Sequence, residues 1–442
     1  MQQSLVQRSL QSVWHPCTQM QHHEQMPLVA LRGGQGAWLF DVQGQRYLDA
    51  VSSWWVNLFG HANAQINAGL IDQLNTLEHA MLAGFTHEPV VALSEQLSAR
   101  THGQLGHCFF ASDGASAIEI ALKMSFHSWR NQGQSRKHQF VCFEGGYHGE
   151  TLGALSVTDV PLFRDAYASL LRPAHFLPSP DTRLAAPDES PQAPAQRALH
   201  ALEALLEKQS AEICAVVMEP LVQCASGMAM HEPAFIKGVR ALCDQYQVHL
   251  IADEIAVGCG RTGTFFACEQ AQIWPDFVCL SKGISGGYLP LSLVMTRDDI
   301  YQSFYHADVA RGFLHSHSYT GNPLACRAAV ETLAIFEQQP VFERNEQTAQ
   351  RVWQGLSPLL KHPQVKHLRQ RGMITAFDVQ LDDAAKRQTF ARAFFTQALA
   401  HELLLRPIGN TVYMMLPYIL KEDEVDLLTH RTQQVLDKVL QS

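Results

Sequence analysis

Four short runs in the middle of the chain, at 139–143, 213–219, 249–253 and 277–281, are apolar at nearly every position. A strand wetted on one face alternates apolar and polar residues. A strand apolar throughout is covered on both faces, as in a parallel sheet. Between the runs lie segments with helical spacing, among them 115–130, 196–209 and 233–246. Strand–helix alternation of this kind builds βαβ units, so the expected fold class is α/β with a mostly parallel sheet. The end of the chain reads differently. Strands are expected at 373–379 and 411–416, and helices at 383–401 and 422–440, which describes a smaller α+β domain. The expected division is an N-terminal segment, 1–60, packing with the small domain; a large domain, 61–330; and the small domain, 331–442. The Pro-rich stretch 178–194 reads as a surface loop inside the large domain.

With 442 residues, 46% of them hydrophobic, the chain can bury two cores. A formal charge of −9 and the lack of any basic run argue against an electrostatic grip on nucleic acid. The opening MQQSLVQRSLQSVWHP lacks the apolar core of a signal peptide, and no apolar run approaches the ~20 residues of a membrane span, so a cytosolic location is expected. The ten cysteines form no C-x-x-C pair, which disfavours a zinc ribbon. The pairs His22-His23 and His315-x-His317 lack the spacing of a metal site, and no metal is expected.

Two residues at strand ends stand out. Asp253 ends the run VHLIAD, and Lys282 follows FVCLS. Each alone is ordinary: an Asp after a strand is commonly a turn or capping residue, and a Lys before Gly a solvated strand end. They lie 282 − 253 = 29 positions apart, about one strand–helix–strand crossover. Parallel strands joined by a crossover end on the same sheet edge, where open α/β sheets bind ligands. A third element, Ser112-Asp113-Gly114-Ala115-Ser116, directly precedes the helical pattern AIEIALKM. The first-turn N–H groups of a helix have no intrahelical acceptor, and they suit a phosphate. An amine, a carboxylate and a phosphate cup are what pyridoxal phosphate requires. The motif Gly258-Cys259-Gly260-Arg261-Thr262-Gly263 matches G-x-G-x-x-G, yet TFFACEQ follows it where a dinucleotide site needs a helix start. Its glycines are expected to shape a loop that leaves Arg261 near the site.

The segments SDGASAIEIALKM, GGYHGET, MEPLVQ, IADEIAVGCGRTG, LSKG and TGNPLA occur in the order and spacing of class III pyridoxal-phosphate aminotransferases, and the chain resembles that family over nearly its whole length. The resemblance implies the fold-type I architecture, with a mostly parallel seven-stranded sheet in the large domain, and a homodimer with shared active sites. It implies that Lys282 forms the Schiff base and shuttles protons, that Asp253 pairs with the pyridinium nitrogen, and that Tyr147 stacks on the ring. Gly114 and Ala115 are then expected to give N–H groups to the phosphate, which Ser318 reaches from the other subunit. Trp54, Tyr413 and Arg406 are expected to line the substrate pocket, Arg406 taking a carboxylate, with Arg261 at its border. WHP at 14–16, SSWW at 52–55, GFTHEP at 84–89 and RPIGNTVYMMLPY at 406–418 resemble the members that work in biotin synthesis, which pass an amino group from S-adenosylmethionine to 8-amino-7-oxononanoate. Cys17 and Cys259 depart from the usual Tyr and Phe, and Ser318 stands where Thr is usual. Cys17 leaves lysine open as the donor. An ω-amino acid or diamine–pyruvate transaminase is the alternative.

Overall fold

The computed structural model describes residues 3–24, 26 and 28–441. Its centre is a seven-stranded sheet whose strands, numbered along the chain, are β1 (His107–Ala111), β2 (Gln139–Phe143), β3 (His175–Leu177), β4 (Ile213–Met218), β5 (His249–Asp253), β6 (Phe277–Leu280) and β7 (Ser292–Thr296). They lie in the order β1-β7-β6-β5-β4-β2-β3. All run parallel except β7, which pairs antiparallel with both β6 and β1.

The uninterrupted apolar runs follow from layers on both faces. In β5, Leu250 and Ala252 belong to one apolar cluster and Ile251 to the other; in β6, Val278 and Leu280 alternate likewise with Cys279. Helix Gly114–Asn131 covers one face through Ala117, Ile120 and Ala121. Helices Ala193–Gln209 and Pro233–Gln245 cover the other through Leu202, Leu206, Phe235 and Val239. Alternation persists at the side-chain level, but both directions are dry, so the sequence shows no polar phase. Fully burying a Leu such as Leu202 is worth about 1.5–3 kcal/mol.

The expected elements lie within a few residues of those observed. The sequence reading did not anticipate β1, β3 or β7. A three-stranded antiparallel sheet, Val365–Arg371, Ile374–Val379 and Thr411–Met415, is flanked by helices Val341–Leu356, Ala384–Ala400 and Glu422–Gln441. Strands Leu31–Gln35, Trp38–Asp41 and Arg46–Asp49 form a sheet that Leu403–Leu404 extends, so early and late parts of the chain share one ladder. The Pro-rich stretch is tied down: Arg183 reaches Asp378 at 3.1 Å, and Asp378 also accepts from Arg369 and Thr411.

Candidate active site

Asp253 ends β5 opposite Cys279 of β6, and Lys282 follows two residues after Leu280. Both side chains line a cavity of about 300 Å³, together with Trp55, Gly114, Ala115, Tyr147, His148, Glu150, Glu219 and Ile255. A larger cleft of about 510 Å³ runs along helix Gly114–Asn131, but it does not include the sheet edge where the amine and carboxylate meet. Chemistry rather than size marks the site.

Asp253 is buried. One oxygen accepts the Ile255 N–H at 3.1 Å, and the other contacts His148 Nδ1 at 2.7 Å. A carboxylate held this way keeps one orientation and needs no reorganisation to face a cationic ring nitrogen. Burial lowers the Lys282 amine below the ordinary ammonium range, with Asp253, Cys224 and Glu219 opposing it. A desolvated amine is more often neutral and hence nucleophilic. Its Nζ lies 5.2 Å from the centre of the Trp55 ring.

The cup stands opposite. Asp113 caps the helix by accepting the Ser116 N–H at 2.9 Å. No described acceptor takes the Gly114 or Ala115 N–H. A Cβ on Gly114 would stand 3.0 Å from Ile255. One on Gly149, whose φ is +124°, would meet Ala115 at 2.5 Å. Glycine is therefore required at 149 for the Tyr147–Glu150 loop to lie against the helix start. Free amides, a carboxylate and a desolvated amine around one cavity fit pyridoxal phosphate.

His148 and Glu219 were not singled out by the sequence reading. Glu219 accepts the Tyr147 N–H and the Cys224 N–H, both at 3.0 Å, and burial pushes its carboxyl up to about 7. Both residues sit inside the quoted segments GGYHGET and MEPLVQ, but nothing local marks them as converging on Asp253. Tyr147 is half-buried. Its hydroxyl donates to Glu150 at 2.8 Å, and burial holds it well above the usual phenol range.

The rim differs from expectation. Residues 52–55 form a single left-handed turn, with φ of 49°, 47°, 71° and 74°. Left-handed backbone costs L-residues roughly 1–2 kcal/mol each. Trp55, not Trp54, walls the cavity; Trp54 is 46% exposed, with the Arg406 guanidinium 5.1 Å from its ring. Tyr413 is buried behind Trp55, and its hydroxyl accepts the indole N–H at 3.1 Å. Arg406 is exposed and donates to the Cys17 carbonyl at 3.2 Å, so that contact uses the backbone, whichever side chain stands at 17. Ser318 is exposed and away from this chain's own cavity.

Arg261 does not border the cavity, contrary to the reading above. It is wholly buried, and its guanidinium donates to the carbonyls of Leu416, Trp55 and Asn57 at 2.6–3.1 Å. A buried guanidinium needs several acceptors, and three chain carbonyls take its terminal N–H groups, leaving Nε without a partner. The glycine motif ends in turns and a short 3-10 helix, Ala267–Ala271, and Gly372 packs directly on the Thr262 backbone. Cys259 is buried, and its carbonyl accepts the Tyr418 hydroxyl at 2.8 Å.

The family model described as aminotransferase class-III matches residues 19–436. The adenosylmethionine-8-amino-7-oxononanoate aminotransferase of Helicobacter pylori is 44% identical, over 99% of both chains. Its namesake in Geobacter sulfurreducens is 36% identical, over 97% of this chain and 96% of that one. Among solved structures, the adenosylmethionine-8-amino-7-oxononanoate aminotransferase of Methanocaldococcus jannaschii superimposes with a TM-score of 0.91 at 30% identity, covering 98% of each chain. An omega transaminase from Pseudomonas jessenii in complex with PMP gives 0.94 at 26%, covering 99% of each. The residues of the cavity and a family match across almost the whole length agree: the chain belongs to the class III aminotransferases, enzymes that depend on pyridoxal phosphate.

Proposed function

We propose that this chain is the aminotransferase of biotin synthesis that moves an amino group from S-adenosylmethionine to 8-amino-7-oxononanoate, giving 7,8-diaminononanoate. The observation that carries the reading is the 44% identity, end to end, with a relative named for that substrate pair. The reaction runs as two half-reactions on one site: the donor leaves its amino group and departs, and the acceptor collects it.

When bound, pyridoxal phosphate supplies an aldehyde for the amino group and a ring that stores an electron pair. The chain's residues do the rest. Lys282 would hold the cofactor aldehyde through its amine and would carry the proton taken from the substrate carbon. Asp253 would keep the ring nitrogen protonated, and His148 orients that carboxylate. A charge pair near 4 Å at moderate effective dielectric is worth ~4 kcal/mol. Tyr147 would lie against the cofactor ring, and the Gly114 and Ala115 N–H groups would take its phosphate. Arg406 presents a planar fork to the acceptor's carboxylate. Trp55 forms the substrate wall, Tyr413 acts through its indole, and Trp54 backs Arg406 outside the cavity.

The chain works as a homodimer in the cytoplasm, Ser318 reaching the phosphate in a second copy. Leu314 is 78% exposed and Tyr319 64%, and Phe85 and Met81 are also exposed, as apolar side chains are when another subunit covers them. Among the described residues, no helix is long and apolar enough to cross a membrane.

The test is a single-turnover absorbance measurement. Loaded protein is mixed separately with S-adenosylmethionine, lysine and alanine. Loss of the visible cofactor band with S-adenosylmethionine, followed by its return with 8-amino-7-oxononanoate, is expected. Conversion by alanine alone sinks the reading. Conversion by lysine selects a second reading, favoured by Cys17, in which lysine is the donor to the same acceptor.

A further inference from the structure

The wall beside Lys282 is built from backbone that L-residues avoid. Ser52, Ser53, Trp54 and Trp55 are four consecutive non-glycine residues at positive φ. In that conformation each Cβ crowds the following carbonyl. Such a run persists only where its surroundings over-determine it.

The surroundings here are specific. Asp49, 1% exposed, ends the strand before the turn. Its Oδ1 accepts the Ser53 N–H at 2.8 Å; its Oδ2 accepts the Ser53 hydroxyl at 2.7 Å and contacts His61 Nε2 at 3.0 Å. The other nitrogen of His61 meets Asn57 Nδ2 at 3.1 Å, just past the turn. The Ser52 hydroxyl donates to the Met415 carbonyl at 2.7 Å, and Arg261 holds the Trp55 and Asn57 carbonyls. An ionised carboxylate accepts only, so Asp49 serves three donors at once; an amide could not do so without turning a donor inward.

What the turn delivers is two tryptophans in fixed places. Trp55 stands over Lys282 with its N–H on Tyr413, and Trp54 lies beneath Arg406. We infer that Asp49 is a positioning residue: its carboxylate locks residues 52–55 into the left-handed turn, and so sets how well the pocket fits the aliphatic ketone acceptor. This deepens the proposed function and rests on it for the identity of the acceptor. A carboxylate that is merely part of the buried hydrogen-bond inventory makes a different prediction, because its loss would not be repaired by relieving the backbone of residue 53.

Four proteins decide between them: wild type, Asp49→Ala, Ser53→Gly and the double variant. Glycine at 53 adopts φ near 47° without penalty, which relieves the one strained residue of the four that Asp49 holds directly. Each protein is loaded with pyridoxal phosphate, checked by visible absorbance, and measured for Tm and for KM and kcat with 8-amino-7-oxononanoate. Asp49→Ala is expected to load cofactor, to raise the acceptor KM about tenfold or more, and to change kcat by less than about threefold. Ser53→Gly in that background is expected to recover most of the lost KM and to raise Tm by more than it does in wild type. If Asp49→Ala does not accumulate as folded protein, recovery of a folded, loaded double variant supports the clamp. An unchanged KM in Asp49→Ala overturns the inference, as does a double variant no better than Asp49→Ala in KM and Tm or in folding. The Tm coupling needs no substrate, so a chain that loads cofactor but never forms the diamine defeats the functional reading and leaves the clamp decidable.

Discussion

Asp253 and Lys282 stand at the ends of neighbouring parallel strands, whereas Trp55, Tyr413 and Arg406 come from segments separated by most of the chain. The floor of the pocket is thus a by-product of regular structure. Once β5 and β6 pair, their termini present the carboxylate and the amine on one edge, and the helix start at Gly114 presents free amides nearby. The rim is not set by one ladder: Tyr413 sits in the strand Thr411–Met415, while Trp55 and Arg406 lie outside any strand. It depends on a left-handed turn, a buried arginine spent on carbonyls, and one hydrogen bond from the Trp55 indole to the Tyr413 hydroxyl. The difference teaches a division of labour: changes at the floor should act on the chemical step, and changes at the rim on how the substrate sits.

That division can be broken at four places, in descending order of effect. Lys282→Ala removes both the attachment point and the proton carrier, and kcat should fall by at least about 10³-fold, since a positioned acid–base group contributes up to 10⁴. Steady-state turnover within tenfold of wild type would remove Lys282 from the reaction. Asp253→Asn keeps the shape but loses a charge worth ~4 kcal/mol near 4 Å, so a loss of about 10²–10³ in kcat is expected, with acceptor KM little changed. A KM effect larger than the kcat effect would show that floor and rim are not separable. Arg406→Met should do the reverse: losing a charge-assisted hydrogen bond worth about 1.5–3 kcal/mol raises acceptor KM roughly 10–100-fold. Steady-state measurement finding the loss in kcat instead would place Arg406 in the chemistry.

The smallest effect sharpens the floor itself. Burial lifts the Glu219 carboxyl from 4.5 to about 7. With a folded-state pKa above the unfolded one, the native chain binds more protons in between. The contribution of Glu219 to stability is therefore full below about 4.5 and lost as pH rises through about 7. Cofactor-free protein should lose Tm between pH 5 and pH 8, and Glu219→Gln should flatten that slope by a few degrees. Parallel slopes in thermal melts would mean that Glu219 is not the titrating group.

The floor was legible because its evidence is local. Apolar runs at 249–253 and 277–281 declare two buried strands, and their spacing declares one crossover. His148 and Glu219 lie within GGYHGET and MEPLVQ, yet the contact of His148 with Asp253, and the place of Glu219 in the same cavity, depend on where β2 and β4 end relative to β5, which no window of sequence contains. For a related reason, the antiparallel direction of β7 could not have been read. SLVMT is apolar like its neighbours, and strand direction leaves no mark on a run covered on both faces. The rim was misread where local rules fail: SSWW carries no glycine to announce positive φ, and GCGRTG carries glycines that fit close to Glu254, Phe336 and Tyr418 rather than a ligand.

By itself, then, the chain's order of residues determined the α/β class, the pairing of Asp253 with Lys282 on one edge, and the helix start that faces them. These follow from periodicity and spacing, which act over tens of residues. Only the tertiary structure decided that Trp55 rather than Trp54 walls the cavity, that Arg261 is sealed among carbonyls, and that Asp49 grips a turn of the wrong hand. Those outcomes balance backbone strain and desolvation against hydrogen bonds from remote segments, and such a balance exists only once the segments have met.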